Sequence, residues 1–189
     1  MASSSRATET APEVAMTMSR AMEGARHYHE YIWTNLRPFL GQRVLEVGPG
    51  FGQYTQRMVI ERRHVLAIDA DVSSVAALNA LGAGPLLETM VLDAERAMFE
   101  KEKLKAFAAD TILMVNMLEH LKDDEGVLGF FASMVGKGGR LVVMVPALPC
   151  LYNRLDEEAG HHRRYAWRSL TRKMERAGWE VASMCYQNL

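Results

Sequence analysis

The 189-residue chain has only two cysteines, Cys150 and Cys185, so it carries neither a disulfide framework nor a zinc-binding spacing. It contains no apolar run of about 18 residues, which excludes a sequence-level membrane span. No charged-then-apolar leader of the signal-peptide kind opens it. An excess of one charge is missing too: 22 basic against 23 acidic residues leave a formal net charge of −1. That balance offers no global attraction for nucleic acid or an anionic membrane surface. Together these absences point to a reduced, cytoplasmic protein without a membrane or nucleic-acid partner. Internal repeats are absent, and the small, polar opening 1–13 reads as a flexible tail. The remaining 14–189, in a chain that is 49% apolar and 24% charged, reads as a single globular domain able to bury a core.

What is present is an alternation of apolar runs and helical stretches. From Val14 to Leu40 the pattern is helical, with Tyr28, Tyr31, Ile32 and Leu36 spaced for one face and Pro38 and Gly41 closing it. Short strand-like runs follow at Arg43–Val47, Val65–Ile68, Leu86–Leu92, Thr111–Val115 and Leu141–Val145. Runs apolar on both faces, separated by helices, predict an α/β fold with a doubly wound, mostly parallel sheet. Near the end, Trp167, Leu170, Met174 and Ala177 mark one helix face, with Gly178 as its cap. The stretch "WEVASMCYQ" then predicts a sixth strand.

Between the first strand and its helix stands "VLEVGPGFG". Bare backbone at that place lets amides approach a ligand, next to a helix N-terminus that favours negative charge. A dinucleotide fingerprint fails, since counting from Gly48 its last glycine position is Gln53. No Gly-Lys-Ser/Thr follows, which excludes a P-loop. Glu46 at the mouth would repel a pyrophosphate and suit a cationic, amine-bearing ligand. A nicotinamide oxidoreductase is disfavoured on both counts; a plain tight turn is the bland alternative.

The stretch resembles the first motif of the class I S-adenosylmethionine-dependent methyltransferases, a Rossmann-like fold. Four further pieces fall in that family's order: "HVLAIDAD", "MVLDAE", "LMVNMLEHLKDD" and "GKGGRLVVMVPA". The resemblance implies S-adenosyl-L-methionine as cofactor, leaving as S-adenosyl-L-homocysteine. It implies a cofactor site built from Tyr28, Glu46, Gly48, Pro49, Gly50, Phe51, Gly52, Asp69, Ala70, Asp93, Ala94, Asn116 and Met117. In it Glu46 faces the ammonium, Asp69 takes the ribose hydroxyls, and Asp93 with the Ala94 amide reads the adenine. Asp69 and Asp93 could also be ordinary strand-end caps.

His120, in "LEHL", is the candidate general base, with a histidine bonded to backbone as its alternative. The stretch "LYNRLDEEAGHHRRY" resembles a loop of one bacterial small-molecule subgroup, of the methyltransferase type 11/12 kind. It offers Tyr152, His161, Arg164 and Tyr165 for the acceptor, unless an internal Asp156–Arg164 bridge only shapes the loop. No metal is expected: His161 and His162 are adjacent and splay apart. The resemblance implies methyl transfer to an oxygen or nitrogen of a natural-product, glycan or lipid precursor. A cofactor-binding protein without methyl transfer, a cyclase or non-catalytic subunit, is the alternative. The family's sheet ends in a hairpin whose seventh strand sits between the fifth and sixth. No apolar run for it follows the sixth-strand candidate, so an incomplete hairpin is expected, its edge covered by self-association or a partner subunit.

Overall fold

The computed structural model describes residues 26–187. The tail expected over 1–13 and the start of the helix expected from Val14 lie outside these residues. Helix α1 (Arg26–Leu36) buries His29, Ile32, Trp33 and Leu36, a single stripe at helical spacing, and Pro38 ends it in a short 3-10 turn. Five strands follow: β1 (Arg43–Val47), β2 (His64–Asp69), β3 (Leu87–Val91), β4 (Thr111–Val115) and β5 (Arg140–Met144). They form one all-parallel sheet in the order β3-β2-β1-β4-β5. Between and after them come α2 (Gln53–Ile60), α3 (Val72–Asn79), α4 (Lys101–Ala106), α5 (Asp124–Ala132), α6 (Arg154–Glu158) and α7 (Trp167–Arg176).

Side chains alternate across each strand and so fill two separate cores. On one face Leu45, Ile68, Ile112 and Met114 meet Leu128 and Phe131; on the other, Val44, Val65 and Leu113 meet Ile32, Met58 and Leu78. Because the strand order reverses direction at β1, the carboxyl ends of β1 and β4 diverge into helices on opposite faces. That is the position where open α/β sheets hold ligands.

The amino ends of the same strands are tied together. The Asp110 carboxylate accepts the Gln42 and Arg43 amides at 2.8 and 3.0 Å, and the Asp110 amide donates to the Arg43 carbonyl at 2.9 Å. The Arg63 guanidinium, largely buried, donates to the carbonyls of Leu40 and Gly41. This clamp closes the floor of the sheet, opposite the ligand end.

The sixth strand does not form. Residues 179–187 have no ladder pairing. Trp179, Val181 and Met184 pack on the core, which accounts for the strand-like alternation of that stretch. A ladder also needs neighbouring main chain, and a cavity of about 1120 Å³ separates this segment from β5. Among the described residues β5 pairs only with β4.

Candidate functional site

The turn after β1 is built on left-handed backbone. Gly48, Gly50 and Gly52 have φ of +70°, +53° and +80°. At Gly48 a side chain is excluded twice, by that conformation and by the Met117 side chain against which a Cβ would collide. The Gly48 amide donates to the Ile68 carbonyl at 2.9 Å, and the Gly50 amide to Asp69 Oδ2 at 3.2 Å. Asp69 Oδ1 accepts the Asp71 amide at 2.9 Å. The carboxylate thus braces the glycine turn, while burial holds its pKa above the ordinary value against those two bonds.

This turn forms one wall of a cavity of about 530 Å³ at the carboxyl ends of the strands. Of the residues the sequence singled out, Tyr28, Glu46, Gly48, Pro49, Gly50, Phe51, Asp69, Asn116, Met117, His120 and His161 line it. Gly52 lies beneath, as the N-cap of α2. Ala70 is exposed beside Asp69. Asp93 and Ala94 stand apart from the wall: Asp93 caps the 3-10 helix Ala94–Glu100 by accepting the Glu95 amide at 2.9 Å, and Ala94 is buried. Of the two uses foreseen for Asp93, the structure displays the cap.

Glu46 is buried, and the Thr55 hydroxyl donates to its Oε2 at 2.5 Å. Burial outweighs that bond and pushes its pKa up to about 7. Thr55, and the Tyr54 and His29 side chains that share this wall, escaped the sequence reading, because nothing in their spacing distinguishes them from helix-core residues. Asn116 holds a left-handed φ of +49°, rare outside glycine though tolerated by asparagine. Its amide donates to the Met144 carbonyl at 2.9 Å and its side chain bonds Tyr28, so the β4 end is linked to both β5 and α1.

At the far end of the cavity the loop after β5 folds back on the 3-10 turn Leu118–His120. The His162 amide donates to the Glu119 carbonyl at 2.8 Å, and the Tyr165 hydroxyl to the Leu118 carbonyl at 3.1 Å. These bonds bring His161 over Glu119 and His120, its ring meeting that of His120 edge-to-face with centroids 4.7 Å apart. His161 Nδ1 bonds Asp156 Oδ1 at 3.0 Å, and its Nε2 stands 3.9 Å from Glu119 Oε1. Glu119 is fully buried, and neither carboxylate oxygen finds a hydrogen-bond partner elsewhere among the described residues. Burial, outweighing its own amide, pushes its pKa up to about 8. Burial and the nearby His161 ring hold His120 below the ordinary histidine range.

The structure does not bring the rest of the loop to the cavity wall. Arg164 is engaged by Asp156 through Nε at 2.8 and 2.9 Å, the internal bridge weighed from the sequence. The Tyr152 hydroxyl donates to the His161 carbonyl at 2.8 Å. Tyr165 is buried rather than open to an acceptor, its single hydroxyl proton shared between the Leu118 carbonyl and the nearer Asp124 Oδ2 at 2.8 Å. All three shape the loop that carries His161. The basic residues behind them are also in use, Arg163 and Lys173 both pairing with Asp124 at 2.9 and 2.7 Å.

Among the described residues no lysine or arginine lines the cavity, whose three acids are Glu46 at the end of β1, Asp69 at the end of β2 and Glu119 after β4. The methyltransferase domain family matches residues 19–184. The chain belongs to that family. Its fold and motif order are those of the class I S-adenosylmethionine-dependent methyltransferases. It is similar to the ubiquinone biosynthesis O-methyltransferase of Xanthomonas axonopodis pv. citri (strain 306), at 32% identity over 114 residues. The match covers 59% of this chain and 46% of that protein, so the chain spans about half the length of the curated relative. A Haloferax volcanii methyltransferase solved in complex with the Trm112 methyltransferase activator shares the fold, with a TM-score of 0.68, 17% identity and coverage of 92% and 77%. So does the magnesium protoporphyrin IX methyltransferase of Synechocystis PCC 6803 with bound SAM: TM-score 0.59, 16% identity, coverage 85% and 71%. No helix among the described residues is long and apolar enough to cross a membrane.

Proposed function

We propose that this methyltransferase domain transfers a methyl group from S-adenosyl-L-methionine to an oxygen or nitrogen of a small-molecule acceptor in the cytoplasm. The carrying observation is the cavity's charge: three acidic side chains, Glu46, Asp69 and Glu119, with no lysine or arginine among the described lining residues, suit a sulfonium ammonium compound and repel a pyrophosphate. Its volume, about 530 Å³, lies within the range of small-molecule sites. The Xanthomonas relative's name supports oxygen as the acceptor atom.

The residues fit the cofactor. Asp69 keeps lone pairs beyond those used by Gly50 and Asp71, enough to accept two ribose hydroxyls. Glu46 supplies negative charge at the methionine end, with Asn116 and Met117 lining it. When bound, the cofactor supplies an electrophilic methyl group on sulfur. The protein's share is to align the acceptor and receive its proton. His120, on the cavity wall, is unprotonated at neutral pH and placed for that proton.

The test is transfer of isotope-labelled methyl from S-adenosylmethionine into a panel of phenols, alcohols and amines, with S-adenosylhomocysteine release measured in parallel. Label in one acceptor class is the expected result. Cofactor binding without label in any product would favour the non-transferring reading, and absence of cofactor binding would defeat both.

A further inference from the structure

We propose that Glu119, His120 and His161 form a binding site for a divalent transition-metal ion at the acceptor end of the cavity. One ligand atom from each lies within 4.8 Å of the other two, and all three side chains line the same cavity. Around a tetrahedral ion with bonds of about 2.0–2.1 Å, donor atoms sit about 3.4 Å apart. The observed set therefore needs about 1 Å of inward movement, within reach of ring and carboxylate rotations.

Three independent features point to a cation. The first is the Glu119 carboxylate, completely enclosed with no hydrogen-bond partner for either oxygen elsewhere among the described residues. Burying such a group without a partner is unfavourable, and a coordinated cation would supply the missing partner. The second is the orientation of His161. Its Nδ1 is held by Asp156 at 3.0 Å, which turns Nε2 toward Glu119. Metal-bound histidines are oriented in this way, one ring nitrogen on a carboxylate and the other on the ion. Asp156 is fixed in turn by Arg164, so its own charge is already balanced. The third is His120, whose ring is hydrogen-bonded to the Gly160 backbone, which leaves its other nitrogen free to ligate.

Two imidazoles and one carboxylate suit zinc, iron(II), cobalt(II) or nickel(II) rather than magnesium or calcium. Three protein ligands leave a coordination position for an oxygen of the acceptor, the pattern of catalytic rather than structural sites. Bound there, an acceptor hydroxyl would lose its proton more readily, and His120 would act as a ligand rather than a free base. That role rests on the methyl-transfer reading; binding of the ion does not.

The experiment uses the untagged full chain, stripped with chelator and titrated with zinc by calorimetry and with cobalt(II) by visible absorption. One ion per chain is expected, with ligand-field bands from cobalt. Glu119→Gln, nearly isosteric, and His161→Ala, on the loop, should each weaken the ion by about tenfold or more and remove those bands. Failure of the wild-type protein to bind either metal overturns the site, as does binding undisturbed in both variants. S-adenosylhomocysteine titrated into the same samples separates the two readings: a sample that binds the nucleoside but no metal defeats only the metal site. A sample that binds metal but no nucleoside defeats only the cofactor reading.

Discussion

At the scale of single residues, burial makes Asp69 and Glu46, two acids of the proposed cofactor site, act differently. Asp69 is partly exposed and held in place by two backbone amides, and in the proposed site it is the fixed anchor. Asp69→Ala should weaken cofactor affinity by about 2–4 kcal/mol, the value of two charge-assisted hydrogen bonds. Calorimetry checks this, and unchanged affinity would mean the ribose lies elsewhere. Glu46 is the titrating partner. Its pKa in the folded protein is about 7, above the ordinary carboxylate value, so below that pH it is mostly protonated. The folded state then holds a proton the unfolded chain has released. Its contribution to the stability of the ligand-free protein is therefore full at acid pH and is lost as pH rises through about 7. A cationic ligand reverses that preference by favouring the carboxylate. Cofactor affinity should rise as pH climbs toward 7, with proton release on binding below it, read by calorimetry in buffers of different ionisation enthalpy. Glu46→Gln should flatten the profile.

At the scale of elements, the strands were the most legible part of the sequence. Arg43–Val47 and Thr111–Val115 are realised with the expected limits, because both are central strands whose two buried faces leave a continuous apolar run. The stretch Trp179–Gln187 misled for a related reason. Its alternation reports packing of Trp179 and Val181 on one side, and alternation cannot show whether a neighbouring backbone completes the ladder. The cofactor wall was legible wherever local backbone demands were written into residue type, as at Gly48 and Gly50. At the far end His120 and His161 were named but Glu119 was not, since Glu119 and His161 are far apart in sequence and are brought together by the His162–Glu119 and Tyr165–Leu118 bonds. Tyr165 illustrates the same limit: an apparent ligand-binding ring is spent on Asp124 and Leu118. Gly48→Ala tests the turn itself. Left-handed backbone alone should remove about 1–2 kcal/mol of stability, and displacement of Met117 should add to it. A lowered urea midpoint with diminished cofactor affinity is the expected outcome.

At the scale of the whole molecule, the sheet has two edge strands, β3 and β5, each with a single ladder partner among the described residues. The outer edge of β5 faces a cavity of about 1120 Å³. Open edges of this kind invite another strand. We expect the chain to self-associate through β5, and light scattering on a size-exclusion column should give more than the monomer mass. A clean monomer at high concentration would count against it.

The clamp formed by Asp110 and Arg63 has a further consequence. Because it locks the amino ends of β1 and β4 to the preceding loop, motion in the molecule must be lopsided, like a book bound along one margin. We expect any opening that admits ligands to fall at the glycine turn and the His161 loop rather than at the clamped margin. Amide hydrogen exchange should therefore be slowest at Val44 and Ile112 and quicken toward Gly50 and Asn116, and cofactor should slow it at the open rim alone.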